Sequence, residues 1–167
     1  IDWPQFMSQQ DMIWEKLPEY WYDSAFLGNG KLGLMIYKEP GKNYLRLETG
    51  NCDVHDHRTK RDVFGIPRLL TGHFALHPKG KIINGTIHLD LWNAEASTDI
   101  TTTKGVIHLR SFVHADEMMI IVKATTEGDE HDFQWEWIAA EANSPRYLIF
   151  KRQGKANKIP KDYELNP

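Results

Sequence analysis

Lys81-Ile82-Ile83-Asn84-Gly85-Thr86-Ile87-His88-Leu89-Asp90-Leu91 is the stretch whose reading decides the fold class. After Asn84-Gly85, the side chains of Ile87, Leu89 and Leu91 fall on one side of an extended chain, with Thr86, His88 and Asp90 on the other. A period of two is the signature of a strand with one buried face. Asn-Gly supplies the positive φ angles that a two-residue type I′ turn requires, so the sequence predicts a hairpin turn at this dipeptide. Asn84-Gly85-Thr86 also fits the N-glycosylation acceptor pattern, but the turn accounts for it more simply.

The same beat runs outward in both directions. Lys31 to Lys38 carries Leu32, Leu34, Met35, Ile36 and Tyr37, and Glu39-Pro40-Gly41-Lys42-Asn43 turns it into Tyr44 to Glu48, where Leu45 and Leu47 share a face. Ala94 to Thr103 is Thr-rich with few large apolar groups, which predicts an exposed or edge strand. Lys104-Gly105 turns the chain into Val106 to His114, where Ile107, Leu109 and Val113 alternate with His108, Arg110 and His114. Glu117 to Thr125 is apolar on both faces, the pattern of a strand covered on two sides. Beyond Glu127-Gly128-Asp129, the residues Phe133, Trp135, Trp137 and Ala139 form a stripe that reads as core. Ser8 to Lys16 is the one helical candidate, capped by Ser8 and stopped by Pro18. The expected architecture is all-β, an antiparallel sandwich over residues 1–150 with a short N-terminal helix, followed by a polar Lys-rich tail or linker over 151–167.

Bulk properties exclude several classes of function. The chain has 167 residues, enough for one domain with a sizeable core, and a formal charge of -3. Lys and Arg are scattered rather than striped, which argues against nucleic acid as a partner. The longest apolar run, Met118 to Val122, is far too short for a membrane span. Cys52 is the sole cysteine, so no internal disulfide forms. No basic segment followed by an apolar stretch opens the chain as a secretory signal would.

Four blocks of sequence carry a resemblance. Trp14-Glu15-Lys16-Leu17-Pro18 and Ala25-Phe26-Leu27-Gly28-Asn29-Gly30-Lys31-Leu32-Gly33-Leu34-Met35-Ile36-Tyr37 come first, followed by Leu45 to Arg58 and by Arg110-Ser111-Phe112-Val113-His114-Ala115. Together they resemble the N-terminal domain of glycoside hydrolase family 95 and its relatives. The family's acid in the segment matching Leu45 to Arg58 is not cleanly reproduced, and His55 stands where relatives tend to carry Trp. The resemblance implies a large β-sandwich joined to an (α/α)6 barrel that holds the general acid and base, so the chain itself would carry no catalytic residue. It implies a glycan substrate, a barrel belonging to the same parent chain as partner, no cofactor, and a periplasmic or secreted location with the signal peptide removed. The family's sandwich is usually longer than 167 residues, which leaves room for this chain to be part of one. A freestanding carbohydrate-binding module is the alternative.

Candidate site residues emerge from chemistry and from that resemblance. Gly28-Asn29-Gly30-Lys31-Leu32-Gly33 precedes a strand rather than a helix, so it is no phosphate loop. It reads as a tight turn in which the glycines and Asn29 take positive φ, with Asn29 helping to shape a sugar pocket. Asp53, His55 and His57 alternate along the chain with Asp56 opposite. A metal site or a catalytic carboxylate pair at Asp53 and Asp56 is the weaker reading. Asp56, His57 and Arg58 are instead candidates for substrate or interdomain hydrogen bonds. Trp3, Trp14 and Tyr20-Trp21-Tyr22 lie in irregular sequence and suit stacking on sugar rings, with Trp21 as the substrate-binding candidate. His73 and His77 read as surface, and no nucleophile elbow is present.

Overall fold

The structure, a computed structural model, describes residues 1–57 and 67–159. Among these, ten strands form two five-stranded antiparallel sheets, so the molecule is an all-β sandwich with two short α-helices. The strands are β1 (Met12–Trp14), β2 (Ala25–Gly28), β3 (Leu32–Lys38), β4 (Leu45–Asn51), β5 (Gly72–His77), β6 (Ile82–Asp90), β7 (Glu95–Thr102), β8 (Gly105–Val113), β9 (Ile120–Gly128) and β10 (Gln134–Ala139). The first sheet has the order β1-β6-β7-β8-β9 and the second β10-β5-β4-β3-β2. Leu34, Ile36, Leu45 and Leu47 from the second sheet meet Ile87, Leu89, Ile100, Ile107 and Leu109 from the first, all of them buried. Among the described residues no helix is long and apolar enough to cross a membrane.

The alternation in β8 is as expected, with Ile107, Leu109 and Val113 buried and Arg110 exposed. The hairpin of β3 and β4 also forms, with Tyr37 opposite Arg46 and Ile36 opposite Leu47. Asn84-Gly85, by contrast, does not turn. Both residues lie inside β6, where Asn84 pairs with Thr101 and Gly85 with Ile100, and Ile83 is the extra residue of a bulge. The glycine serves close approach rather than φ. A Cβ on Gly85 would clash with the Asp99 carbonyl oxygen and stand 2.8 Å from the Leu17 side chain, which plugs the core at that point. The hairpin turn comes later, at Leu91 to Ala94, where Asp90 accepts the Asn93 N–H at 2.9 Å and Ala94 takes φ 51°.

Three further expectations are corrected by tertiary position. β7 is central in its sheet, and its small residues Ala96 and Thr98 are fully buried beside Ile100. β9 is an edge strand with none of its residues buried. The helix lies upstream of the expected segment, as α1 (Trp3–Ser8), because Asp2 caps it by accepting the Gln5 N–H at 3.1 Å and Pro4 suits its first turn. Met12–Trp14 instead pairs with β6, which would otherwise end the sheet. Asp11 secures that pairing, accepting the Leu91 N–H at 2.9 Å and contacting His88 Nε2 at 2.9 Å. The polar stretch beyond the sandwich begins as a helix, α2 (Pro145–Arg152), capped by Ser144.

Candidate functional site

The segment between β1 and β2 passes from one sheet to the other, and the sequence dictates how. Leu17 and Pro18 are buried, and the Pro18 carbonyl accepts the Lys38 N–H at 2.8 Å, pinning the crossing to the end of β3. The next residues, Glu19 to Asp23, are all exposed and stand outward from the sandwich. Trp21–Asp23 forms a single 3₁₀ turn, closed by Ser24 Oγ donating to the Trp21 carbonyl at 2.7 Å. Trp14 Nε1 donates to the Asp23 carbonyl at 2.8 Å, tying this turn to β1.

The result is a cleft of about 1180 Å³ walled by Trp14, Tyr20, Trp21, Tyr22 and Phe26, with Met12 and Met35 at its sides. Tyr20 and Tyr22 stack in parallel at 5.2 Å, and Trp21 stands at 80° to Tyr22 at 5.7 Å. Trp21 and Tyr22 are each 62% exposed. Single exposed aromatic residues are ordinary, but a contiguous group of them marks a surface that binds something. Glu15, Lys16, Glu19 and Asp23 border the same cleft. Trp21, the candidate stacking residue, lies on the wall of this cleft.

Asn29, Asp56 and His57 lie elsewhere, since none of them lines this cleft. Asn29 clamps two loops together: its Nδ2 donates to the carbonyls of His114 at 2.9 Å and Glu117 at 3.2 Å, and its Oδ1 accepts the N–H groups of Lys31 and Leu32. Both of its amide hydrogens are therefore used in joining the β2–β3 turn to the β8–β9 loop. Within that turn only Gly30 has positive φ, at 88°, contrary to the expectation for Asn29 and its glycine neighbours. Residues 52–57 do not continue β4 as an alternating strand; His55 makes an isolated bridge to Arg68. Asp56 is buried, its N–H donating to the Pro67 carbonyl at 2.9 Å, while His57 is exposed with its ring 6.2 Å from that of His55. Arg58 lies outside the described residues. Among the described residues no group of three metal-ligating side chains converges.

Two features are not visible in the sequence. His73 is buried rather than on the surface, opposite Glu48 on the outer side of the second sheet. Around it Tyr37 donates to Glu48 Oε2 at 2.5 Å, Tyr44 donates to Glu39 Oε2 at 2.6 Å, and Arg46 joins the two carboxylates through contacts of 2.7 and 3.2 Å. Burial, together with the Glu39 carboxylate, pushes the Tyr44 hydroxyl up to about 12. Burial and the Glu48 carboxylate push Tyr37 up further still. These paired phenols and carboxylates are all engaged with one another, which makes the cluster a brace.

The second is the stripe of β10. Trp135 lies opposite Leu76 and Trp137 opposite Phe74, and Phe74 lies opposite the buried Leu47, so all three rings point to the inner side of their sheet. Yet Phe74, Trp135 and Trp137 are 41%, 41% and 46% exposed. The expectation of a core stripe is right about the face and wrong about full burial: among the described residues the inner face at this edge is only partly covered. A scan against protein-family models finds no match, and no curated protein matches the sequence.

Proposed function

We propose that this chain is a non-catalytic, glycan-contacting β-sandwich of a glycoside hydrolase, working in the periplasm or outside the cell. It would brace an (α/α)6 catalytic domain and lend an aromatic wall to the substrate pocket. The observation that carries the reading is the cleft at Tyr20, Trp21 and Tyr22, an angular wall of exposed rings held by Trp14 and Ser24. Sugar rings present apolar C–H faces that such rings can cover, and a concave aromatic surface with polar groups at its border is the usual make-up of a small-molecule site. The uncovered rings of Phe74, Trp135 and Trp137 support the bracing half, since a free-standing domain gains nothing by leaving them in water.

The test is a titration of the chain with neutral oligosaccharides, read by tryptophan fluorescence. Saturable binding that Trp21→Ala weakens about tenfold, or about 1.4 kcal/mol, is the expected result. No saturable binding to any glycan would refute the reading. Hydrolysis of aryl glycosides by this chain alone would overturn its non-catalytic part. The exposed cleft also suits a freestanding carbohydrate-binding module, which would bind equally well with no catalytic domain added.

A further inference from the structure

Resting on the glycan reading of the same cleft, we infer that it selects glycans bearing free amines, such as de-N-acetylated amino sugars, over glycans bearing uronic acids. The concave aromatic wall makes the site, and the charges at its border set what enters. Three carboxylates, Glu15, Glu19 and Asp23, face one cation, Lys16, which leaves the border at a net charge of −2. All four side chains are exposed and, among the described residues, none is ion-paired within the chain. Their field therefore acts on the contents of the cleft instead of being spent on a neighbour, and the low-dielectric walls concentrate it.

The rings add to the same sign. The face of an aromatic ring is its negative region and attracts ammonium groups. Tyr20 and Tyr22 are parallel to within 3° while Trp21 stands at 80° to Tyr22, so the rings that line the cleft are set in two orientations. An ammonium group entering it meets attraction from both the rings and the carboxylates, whereas a uronate meets repulsion from both. A neutral N-acetylated sugar keeps the stacking alone. Amine-bearing, neutral and acidic sugars should accordingly bind in that order.

The test uses three oligomers of equal length: glucosamine, its fully N-acetylated counterpart and galacturonate, titrated at low salt and neutral pH. Weak exposed charge contacts of this kind predict a preference of about fivefold for glucosamine over the N-acetylated oligomer, and a larger one over galacturonate. The preference should shrink toward one in the triple variant Glu15→Gln, Glu19→Gln, Asp23→Asn and with added salt, while Trp21→Ala should weaken binding of all three oligomers about tenfold. Equal or tighter binding of the neutral or acidic oligomer overturns the inference while leaving the glycan reading intact. A glucosamine preference that survives in the triple variant assigns it to the bulk charge of the chain and likewise overturns the inference. If none of the three binds, both readings fall.

Discussion

His73 lies on the outer side of the second sheet, where alternation alone would leave it wet, and is nevertheless only 6% exposed. The tyrosines and the arginine around it make the difference: Tyr44 stacks at 6.1 Å from its ring, and the Arg46 side chain reaches across to Glu39. Its buried Nε2 has no hydrogen-bond partner among the described residues. Burial first, and the charge of Arg46 second, hold the imidazole below its ordinary range, against the opposing pull of Glu39, Glu48 and Glu136. A histidine whose folded pKa is depressed takes up a proton more readily when the chain unfolds, so stability falls as pH drops from the unfolded value toward the folded one. The expected outcome is a loss of thermal stability between pH 7 and 5 that is smaller in His73→Gln than in the parent. His108 works in the opposite sense, because its hydrogen bond to Asp99 raises its pKa. The comparison that isolates His73 is therefore variant against parent across the pH series. Equal slopes for the two proteins would remove His73 from the account.

At the scale of elements, the connection between β9 and β10 carries the chain from one sheet to the other, and Glu130 holds it. This carboxylate is fully buried and accepts the N–H groups of Lys79 at 2.9 Å and Gly80 at 2.7 Å, as well as the Thr102 hydroxyl. Three segments thus meet on one side chain: the β5–β6 turn, the end of β7 and the β9–β10 connection. Glu130→Ala would leave these donors without a partner, each costing about 1–3 kcal/mol where water cannot reach it. A destabilisation of about 3 kcal/mol is expected from urea unfolding, with Glu130→Gln milder because its amide oxygen still accepts. A neutral Glu130→Ala would show that water replaces the carboxylate at no cost. Elements also show what the sequence could reveal. Strand identity is legible in β3 and β8, because a buried face imposes its period on the residues themselves. Whether a strand is central or at an edge depends on its neighbours, so Thr-rich β7 reads as an edge and apolar β9 as covered. The Asn84-Gly85 signal fails for a related reason: the need for glycine there comes from Leu17 and Asp99, residues remote in sequence. The candidacy of Trp21 is legible because it interrupts any regular pattern. The clamping role of Asn29 is not, since its partners His114 and Glu117 lie 85 and 88 positions away.

For the molecule as a whole, the two sheets do not cover each other completely. β2 and β3 lie against β7 and β8, and the core tracks that overlap. At the far edge, where β5 pairs with β10, the inner face of the second sheet turns Phe74, Trp135 and Trp137 to solvent. The rings partly shelter one another, with Phe74 and Trp137 at 4.7 Å, and Trp137 lies over Gly72, where a Cβ would stand 2.8 Å from its indole. An apolar patch of this kind at an unpaired sheet edge invites association with any apolar surface. Trp135 and Trp137 also bury only a little over half of their surface, so each gains less than a fully buried ring would. Replacing both with Thr keeps strand propensity and removes the apolar surface. The double variant should therefore lose clearly less unfolding free energy than truncating two core Trp residues, at about 3–5 kcal/mol each, would cost. It should also lose most of the parent's binding of a hydrophobic dye and any rise in apparent mass with concentration in light scattering. A loss matching two such core truncations would mean that these rings are part of the core after all, with the edge of the sandwich closed in solution.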